Sequence, residues 1–194
     1  MRRQLVSAVL AVLLFTVVTG ILYPLVLTGV DRIAFPHQSA GSLLDLHGQP
    51  VGSSLMGQAF TDAKGHPLPG YFQTRPSASS DNGMASGGTN LGPSSPSLLT
   101  SERDLAAAYR SFNHVAADVP IPSDAVTTSG SGLDPDISIA NAQLQAPRVA
   151  AYRHLPLSRV ETLIRASTVQ PALGILGEPV VDVLTLNVAL DRLP

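Results

Sequence analysis

The sequence contains no cysteine, so neither a disulfide bridge nor a thiolate metal site can form in this chain. An oxidising compartment is compatible with this composition but is not indicated by it. Tryptophan is also absent, and aromatic residues make up only 5% of the sequence. The chain therefore has few of the aromatic side chains that a stacking platform for bases or sugars needs.

Charged residues are scarce as well, at 13% of the chain. Arg2 and Arg3 are the only charged residues before Asp31, so the part beyond Val30 carries the remaining 10 basic and all 14 acidic residues. A mildly acidic domain lacks the basic stripe that binds a phosphate backbone. This charge balance excludes nucleic acid as the partner.

The sequence does contain one long uncharged stretch, residues 5–30, made mostly of Leu, Val, Ile and Ala. About 20 apolar residues in a helix cross the hydrocarbon core of a bilayer, so the stretch predicts a transmembrane helix. A cleaved signal peptide would have an apolar centre of only about 7–15 residues and a small-residue cleavage site. The apolar run continues past Gly20 without a polar break, which favours an uncleaved anchor.

The charges at the two ends of this stretch predict its orientation. Arg2, Arg3 and the amino terminus precede it, whereas Asp31 and Arg32 follow it. Because positive charge is retained on the cytoplasmic side, we expect residues 1–4 in the cytoplasm and residues 5–30 as a single pass through the cell (inner) membrane. Residues 31–194 would then form one extracytoplasmic domain, a length that suits a single core.

Strands are expected at the two ends of this domain. Short apolar runs at 42–46 and 51–55 flank a turn at 47–50, and a β-hairpin is expected over 173–186 around a turn at 177–179. Residues 186–190 would close the chain as a strand extension or a short helix.

Helices are expected between these strands. One follows Thr100 as the N-cap and ends before Pro120. A second starts at Asp134-Pro135-Asp136, is broken or kinked at Pro147, and is followed by a third that starts with a capping box at Ser158. Strands, then helices, then strands predict an α+β fold rather than a βαβ repeat.

Two polar loops, at 75–97 and 123–132, are the expected places for a binding site. The first contains Ser86, Gly87 and Gly88, and backbone N–H groups of successive glycines can converge on a phosphate. No Gly-Lys-Ser/Thr follows and no strand–loop–helix frames the loop, so it is not a P-loop. Nucleotide contact and a structural or partner-contacting role both stay open.

The second loop has the serine of a hydrolase but not its spacing. Ser131 has glycine on both immediate sides, whereas a nucleophile elbow needs Gly-x-Ser-x-Gly. The five histidines are scattered singly, and the helix start already explains Asp134 and Asp136 without a metal. These observations argue against an enzyme and predict no metal site.

Tyr71 and Phe72 form the only aromatic doublet of the domain, and Arg75 follows closely. Together they predict either an exposed aromatic and cationic contact point or a pair packed into the core.

Seven stretches in order resemble one known family. They are the anchor end Tyr23-Pro24-Leu25, VGSSLMGQ at 51–58, YFQTRPSA at 71–78, ASGGTNLGP at 85–93, VTTSGSGLDPDIS at 126–138, QAPRVA at 145–150 and VLTLNVALD at 183–191. In this order the chain resembles the C subunit of the bacterial Kdp potassium-transporting ATPase almost end to end. It departs mainly by an insert-like stretch at 62–69 and by Pro147.

The resemblance implies a non-catalytic accessory subunit of a high-affinity, ATP-driven potassium importer. Its implied partners are a channel-like A subunit, a P-type ATPase B subunit, a small F subunit and the lipid bilayer. The resemblance also implies a role in assembly and a catalytic chaperone action that raises the ATP affinity of the B subunit, with ATP as its ligand. The alternative is a regulatory subunit that contacts ATP directly, although the expected topology separates the domain from cytoplasmic ATP.

The candidate site residues follow from these interpretations. The nucleotide-binding candidates are Ser86, Gly87 and Gly88, and the partner-contact candidates are Tyr23, Pro24, Tyr71, Phe72, Arg75, Asn90, Ser129, Ser131 and Asp134.

Overall fold

The computed structural model describes residues 1–193, which divide into two compact units with the boundary after Leu43. The first unit consists of α1 (Arg2–Val17), a π-helical turn (Val18–Leu22), α2 (Tyr23–Ala34) and the short α3 (Pro36–Ser39). Pro24 has no N–H to donate to the carbonyl group four residues earlier, and the wider π-helical turn lies at this interruption.

The first unit contains the predicted membrane helix. Arg2–Ala34 forms one continuous apolar helix with a mean hydropathy of 2.7, and none of its apolar window is buried. By length and composition it is the one helix within residues 1–193 that could cross a membrane.

The second unit begins with the predicted hairpin. Strands β1 (Leu43–Leu46) and β2 (Gln49–Ser53) pair around His47 and Gly48, which both have positive φ, as a two-residue hairpin turn requires. Strand β2 begins two residues earlier than the sequence predicts.

A long irregular stretch then leads to α4 (Pro96–Asn113). The helix starts five residues earlier than expected, because its N-cap is Ser95 rather than Thr100 and Pro96 fits the first turn. It ends well before Pro120, because His114 takes a left-handed conformation with φ of 56°. A single 3₁₀ turn, Ser123–Ala125, follows.

The second helix expected from sequence starts later than predicted. Asp134 does not cap it, because residues Asp136–Ser138 form strand β3. The helix is α5 (Ile139–Tyr152), and its N-cap is Ser138, whose side chain accepts a hydrogen bond from the N–H of Asn141. Pro147 does not break α5, since it lies on the exposed face of a continuous helix.

The remaining elements correct two further predictions. Helix α6 (Leu157–Ala166) follows Pro156 as N-cap, so Ser158 lies inside the helix and forms no capping box. The expected hairpin over 173–186 is replaced by strands β4 (Thr168–Val169) and β5 (Val180–Asp182), followed directly by α7 (Val183–Asp191). Asp182 ends the strand because its carboxylate caps α7 at the N–H of Thr185.

The second sheet is antiparallel with the order β3-β5-β4. Its register pairs Asp136 with Asp182 and Thr168 with Val181. Helices α5, α6 and α7 and the central strand supply the core, so the second unit is an α+β domain, as predicted. The buried apolar cluster consists of Phe72, Ile137, Ala142, Ala146, Val149, Ala150, Val160, Ile164, Val181, Val183, Leu186 and Leu190.

Candidate functional site

A segment without regular secondary structure, residues 69–75, leads into the first polar loop and belongs to neither sheet. Two side-chain amides hold its backbone instead. Phe72 donates its N–H to Oδ1 of Asn187 and accepts from Nδ2 of the same side chain, both at 2.9 Å. Gln73 donates to Oε1 of Gln145 at 2.8 Å and accepts from its Nε2 at 3.1 Å. Asn187 and Gln145 thus replace a neighbouring β-strand, and we call residues 69–75 the clamped segment.

Arg148, a buried residue of α5, also holds the clamped segment. Its Nη1 donates to the carbonyl groups of Pro69 and Tyr71, its Nε donates to Asn113 at 2.8 Å, and its Nη2 donates to Gln145 at 3.0 Å. Burial lowers the pKa of Arg148 to about 10, so the side chain is still charged at neutral pH. All four bonded partners are neutral, which means that the charge is stabilised by oriented dipoles rather than by a carboxylate.

The aromatic doublet of the clamped segment points its two side chains into different surroundings. Phe72 is fully buried in the core, so the core interpretation of the doublet holds for this residue. Tyr71 is half-buried and donates its hydroxyl to Asp191 at 3.2 Å, while Arg153 lies 4.6 Å from its ring centre and pairs with Asp191 at 2.7 Å. The doublet is therefore part of the scaffold that fixes the segment.

Arg75, at the end of the clamped segment, connects the two polar loops. Its Nη1 donates to Oδ2 of Asp134 at 2.9 Å, and its Nη2 lies 3.4 Å from the hydroxyl oxygen of Thr127. Both partners of the ion pair are only partly exposed. The structure thus brings together two residues that the sequence predicted separately, Arg75 and Asp134.

Further hydrogen bonds fasten the two loops to each other. The hydroxyl groups of Ser77 and Ser79 donate to the carbonyl oxygen of Gly132 at 2.7 and 3.0 Å. Gly132 has a φ of 67°, and a Cβ atom there would lie 2.5 Å from Oγ of Ser79 and 2.7 Å from the carbonyl oxygen of Gly87. The contact between the loops therefore requires glycine at this position.

The Ser-Gly-Gly sequence takes part in the same contact. The N–H of Gly87 and the hydroxyl of Ser86 donate to the carbonyl oxygen of Ser131, at 2.8 and 3.0 Å. A Cβ atom on Gly88 would lie 3.0 Å from the carbonyl oxygen of Gly130. The glycines thus allow two backbones to approach closely, and the Gly87 N–H is used inside the domain.

The other candidate residues lie at the rim of this loop pair or apart from it. Ser129 is buried and its hydroxyl accepts from the N–H of Gly132 at 2.8 Å, whereas Ser131 and Asn90 are exposed. Tyr23 and Pro24 lie in the apolar helix of the first unit. Seven of the twelve candidates lie in the paired polar loops, namely Arg75, Ser86, Gly87, Gly88, Asn90, Ser129 and Ser131. An eighth, Asp134, follows the second loop and pairs with Arg75.

Sequence reasoning missed Gln145, Arg148 and Asn187, which hold the clamped segment, and Asn141, which bonds to Gln145. Asn141, Gln145 and Arg148 are buried on one face of α5, at spacings of four and three residues. Polar residues at a helical spacing within an otherwise apolar face were the available signal, because buried polar groups need specific partners. Asn187 on α7 gives the same signal among Leu186, Val188 and Leu190.

The acidic residues near the loops have separate roles. Asp134 pairs with Arg75, and Asp136 lies in β3 opposite Asp182. Burial raises the pKa of Asp136 to about 6, with Asp182 and Asp134 adding to the effect. Within residues 1–193, no group of three or more His, Asp or Glu side chains is placed to hold a metal ion.

The chain is similar to known proteins over nearly its whole length. The family described as "K+-transporting ATPase, c chain" matches residues 5–192. A "Potassium-transporting ATPase KdpC subunit" of Mycobacterium tuberculosis (strain ATCC 25177 / H37Ra) is 51% identical over 195 residues, covering 100% of both chains. The protein of the same description from Ralstonia nicotianae is 49% identical over 181 residues, covering 92% of this chain and 85% of the relative. That from Photorhabdus laumondii is 46% identical over 191 residues, with 97% and 95% covered.

The family match covers nearly the whole chain and includes both the apolar helix and the paired polar loops. The chain belongs to the KdpC family, the c chain of the K+-transporting ATPase.

Proposed function

We propose that this chain is a non-catalytic, single-pass accessory subunit of a high-affinity, ATP-driven potassium importer. Residues 5–30 anchor it in the cell (inner) membrane, residues 1–4 are cytoplasmic, and the α+β domain is extracytoplasmic. Its partners are the channel-like A subunit, the P-type ATPase B subunit and the small F subunit. The observation that carries the proposal is the pairing of the two polar loops: their hydrogen-bonding groups hold each other and present a fixed polar surface.

The exposed rim of the paired polar loops is the proposed docking surface. Asn90 and Ser131 are exposed there, and the Arg75–Asp134 ion pair is only partly covered. A surface that is already ordered before binding loses less conformational entropy when a partner docks. The clamped segment provides this order, because every residue from 69 to 73 has a backbone group bonded to a side chain of α5, of α7 or of Arg153 at the end of α5. Tyr23 and Pro24 are the proposed contacts within the membrane.

Any effect on ATP affinity would pass through the partner subunits. In the proposed topology the domain lies on the opposite side of the membrane from cytoplasmic ATP. Direct nucleotide contact at Ser86, Gly87 and Gly88 has less support, because Ser86 and Gly87 donate to Ser131 and no lysine follows the loop. The catalytic chaperone role is accordingly proposed as an action on the assembled complex.

Labelling of a single cysteine tests the topology. The chain has no cysteine, so Met84→Cys, at a side chain that is 96% exposed in the first polar loop, would be the only thiol. A membrane-impermeant maleimide should label it in intact spheroplasts, whereas a Gln4→Cys control should react only after lysis. Labelling of Met84→Cys only after lysis would contradict the topology and favour the nucleotide-binding alternative.

Deletion of residues 1–30 tests the role of the anchor in docking. The truncated chain, exported by a cleavable signal peptide and expressed with the other subunits, should fail to co-purify with them and should not support potassium uptake. Unchanged co-purification and uptake would show that the anchor does not mediate docking.

A further inference from the structure

The turn that connects β4 and β5 carries exposed aliphatic side chains. Leu173, Ile175 and Leu176 are 89%, 81% and 61% exposed, respectively. They belong to an uncharged stretch, residues 166–177, that lies between Arg165 and Glu178. We call residues 171–176 the apolar tip. Large apolar side chains that stay exposed together indicate a surface that another apolar medium covers.

Four N–H groups of the apolar tip donate hydrogen bonds within the tip itself. Ala172 and Leu176 each donate to the carbonyl of the other at 3.0 Å, and Gly174 donates to Pro171 at 2.9 Å. Ile175 also donates to Ala172, at 3.3 Å. Four N–H groups therefore need no water, which lowers the cost of moving the tip into a medium without hydrogen-bond partners.

The bilayer that the chain's own apolar helix would cross is such a medium. This apolar helix, Arg2–Ala34, is long enough to cross a bilayer, and only residues 35–42 separate it from β1. Even fully extended, this connection spans about 30 Å, so the surface of an anchored domain cannot move far from the lipid. Three aliphatic side chains would hold a free protein on a bilayer only weakly. In a tethered domain the local lipid concentration is high, and a weak contact is then sufficient.

The charge distribution does not oppose lipid contact at the apolar tip. The part of the chain beyond Val30 carries more acidic than basic residues, and anionic headgroups would repel such a surface. The apolar tip itself carries no charge, and the nearest charged residues in sequence, Arg165 and Glu178, have opposite signs.

We propose that the apolar tip inserts into the boundary between headgroups and acyl chains of the bilayer that holds the anchor, an inference that rests on the proposed anchoring of the chain. The tip is then a second, reversible membrane contact. It fixes which side of the domain faces the lipid and which side is left for the partner subunits.

Tryptophan fluorescence tests this contact, since the chain has no tryptophan of its own. The Leu173→Trp variant of the full chain is reconstituted into phosphatidylcholine vesicles, with or without brominated phosphatidylcholine, which quenches tryptophan by contact. Met84→Trp, at a similarly exposed side chain of the first polar loop, is the matched control. Vesicles are floated after an alkaline carbonate wash, so that only anchored chains are measured.

The brominated lipid should quench the emission of Leu173→Trp about twofold and leave that of Met84→Trp nearly unchanged. Equal, weak quenching of both anchored variants would overturn the proposal. Shielding of Leu173→Trp from aqueous iodide only when the other transporter subunits are present would overturn it in favour of a protein partner. If lost protease resistance shows that Leu173→Trp no longer folds, Ile175→Trp is measured instead, and the same quenching by brominated lipid is expected. Loss of the chain in the carbonate wash would instead show that the proposed anchoring fails.

Discussion

Asn187 and Phe72 exchange two hydrogen bonds of 2.9 Å although 115 residues separate them in sequence. A side-chain amide has one acceptor and one donor group at a spacing that matches a backbone peptide group, so Asn187 pairs with Phe72 as a strand residue would. Both residues are fully buried or nearly so, and water does not reach these bonds. The position of the first polar loop therefore depends on a side chain of the last helix.

Replacement of Asn187 by alanine should destabilise the domain strongly. It would leave the buried N–H and carbonyl groups of Phe72 without partners, at a cost of about 2–4 kcal/mol in the free energy of unfolding. Urea unfolding of the full chain in detergent micelles measures the effect. Gln143→Ala, on the exposed face of α5, is the control and should change stability by less than about 0.5 kcal/mol. Similar stability of the two variants would refute the bridging role of Asn187.

Arg148→Lys should be nearly as damaging as removal of the side chain. A lysine has one nitrogen and cannot reach Asn113, Gln145 and the two carbonyl groups of the clamped segment together. We expect a loss of about 3 kcal/mol in the free energy of unfolding, because buried acceptors are left unpaired around a buried charge. The exposed Arg159→Lys is the matched control. A loss below about 1 kcal/mol in Arg148→Lys would mean that water or other groups replace the guanidinium.

Gly132→Ala should separate the two polar loops. The new Cβ would collide with Ser79 and with the Gly87 carbonyl, and the φ of 67° adds strain for any side chain. We expect a free energy of unfolding that is lower by about 1–3 kcal/mol and a loss of co-purification with the transporter subunits. Gly130→Ala lies two residues away in open space, with no atom within 4 Å of its Cβ, and should behave like the wild type. If Gly132→Ala still assembles normally, the paired polar loops are not the docking surface.

The buried carboxyl group of Asp136 should make the stability of the domain decrease as the pH rises. Burial, with help from Asp182 and Asp134, raises the pKa of its carboxyl group from 3.8 to about 6 in the folded domain. The folded state therefore holds a proton that the unfolded state releases, and this contribution to stability is lost as the pH rises from about 4 to about 6. Asp136→Asn should be more stable than the wild type above pH 6 by about 1 kcal/mol, with allowance for solvent screening, and should show a flatter profile.

Thermal unfolding of both chains between pH 4 and pH 8 measures this difference. Asp45→Asn, at a side chain of the β1–β2 hairpin, controls for a simple change in net charge. Parallel pH profiles of Asp136→Asn and the wild type would show that the carboxyl group keeps its ordinary pKa.

The elements with clear local signals could be predicted from the sequence. The apolar helix follows from its composition, and the β1–β2 hairpin follows from the His47-Gly48 turn between two apolar runs. Where the local sequence was compatible with both a helix and a strand, pairing with a distant strand determined which one formed. Asp134-Pro135-Asp136 has the composition of a helix start, but Asp136–Ser138 pairs with β5 and the helix begins one turn later. Such pairing depends on residues more than 40 positions away and leaves no local trace.

The candidate site was predictable in its loops but not in its construction. Glycine and serine content identifies the two polar loops, and the sequence marks Arg75 and Asp134 as candidates but does not reveal their ion pair. That Gly87 donates to Ser131 could not be read from either loop alone, because the partner lies 44 residues further along the chain. The amides of Gln145 and Asn187 were missed because each looks like an isolated polar residue in an apolar helix.

The long separation between Phe72 and Asn187 also has a consequence for biosynthesis. At about 5–20 residues per second, a ribosome needs roughly 6–23 s to add the 115 residues between them. During that interval Phe72 lacks the side-chain amide of Asn187, and its peptide groups bond to water instead. The polar loops can therefore reach their final arrangement only late in translation, and a nascent chain cannot present the docking surface to a partner subunit before α7 has been made.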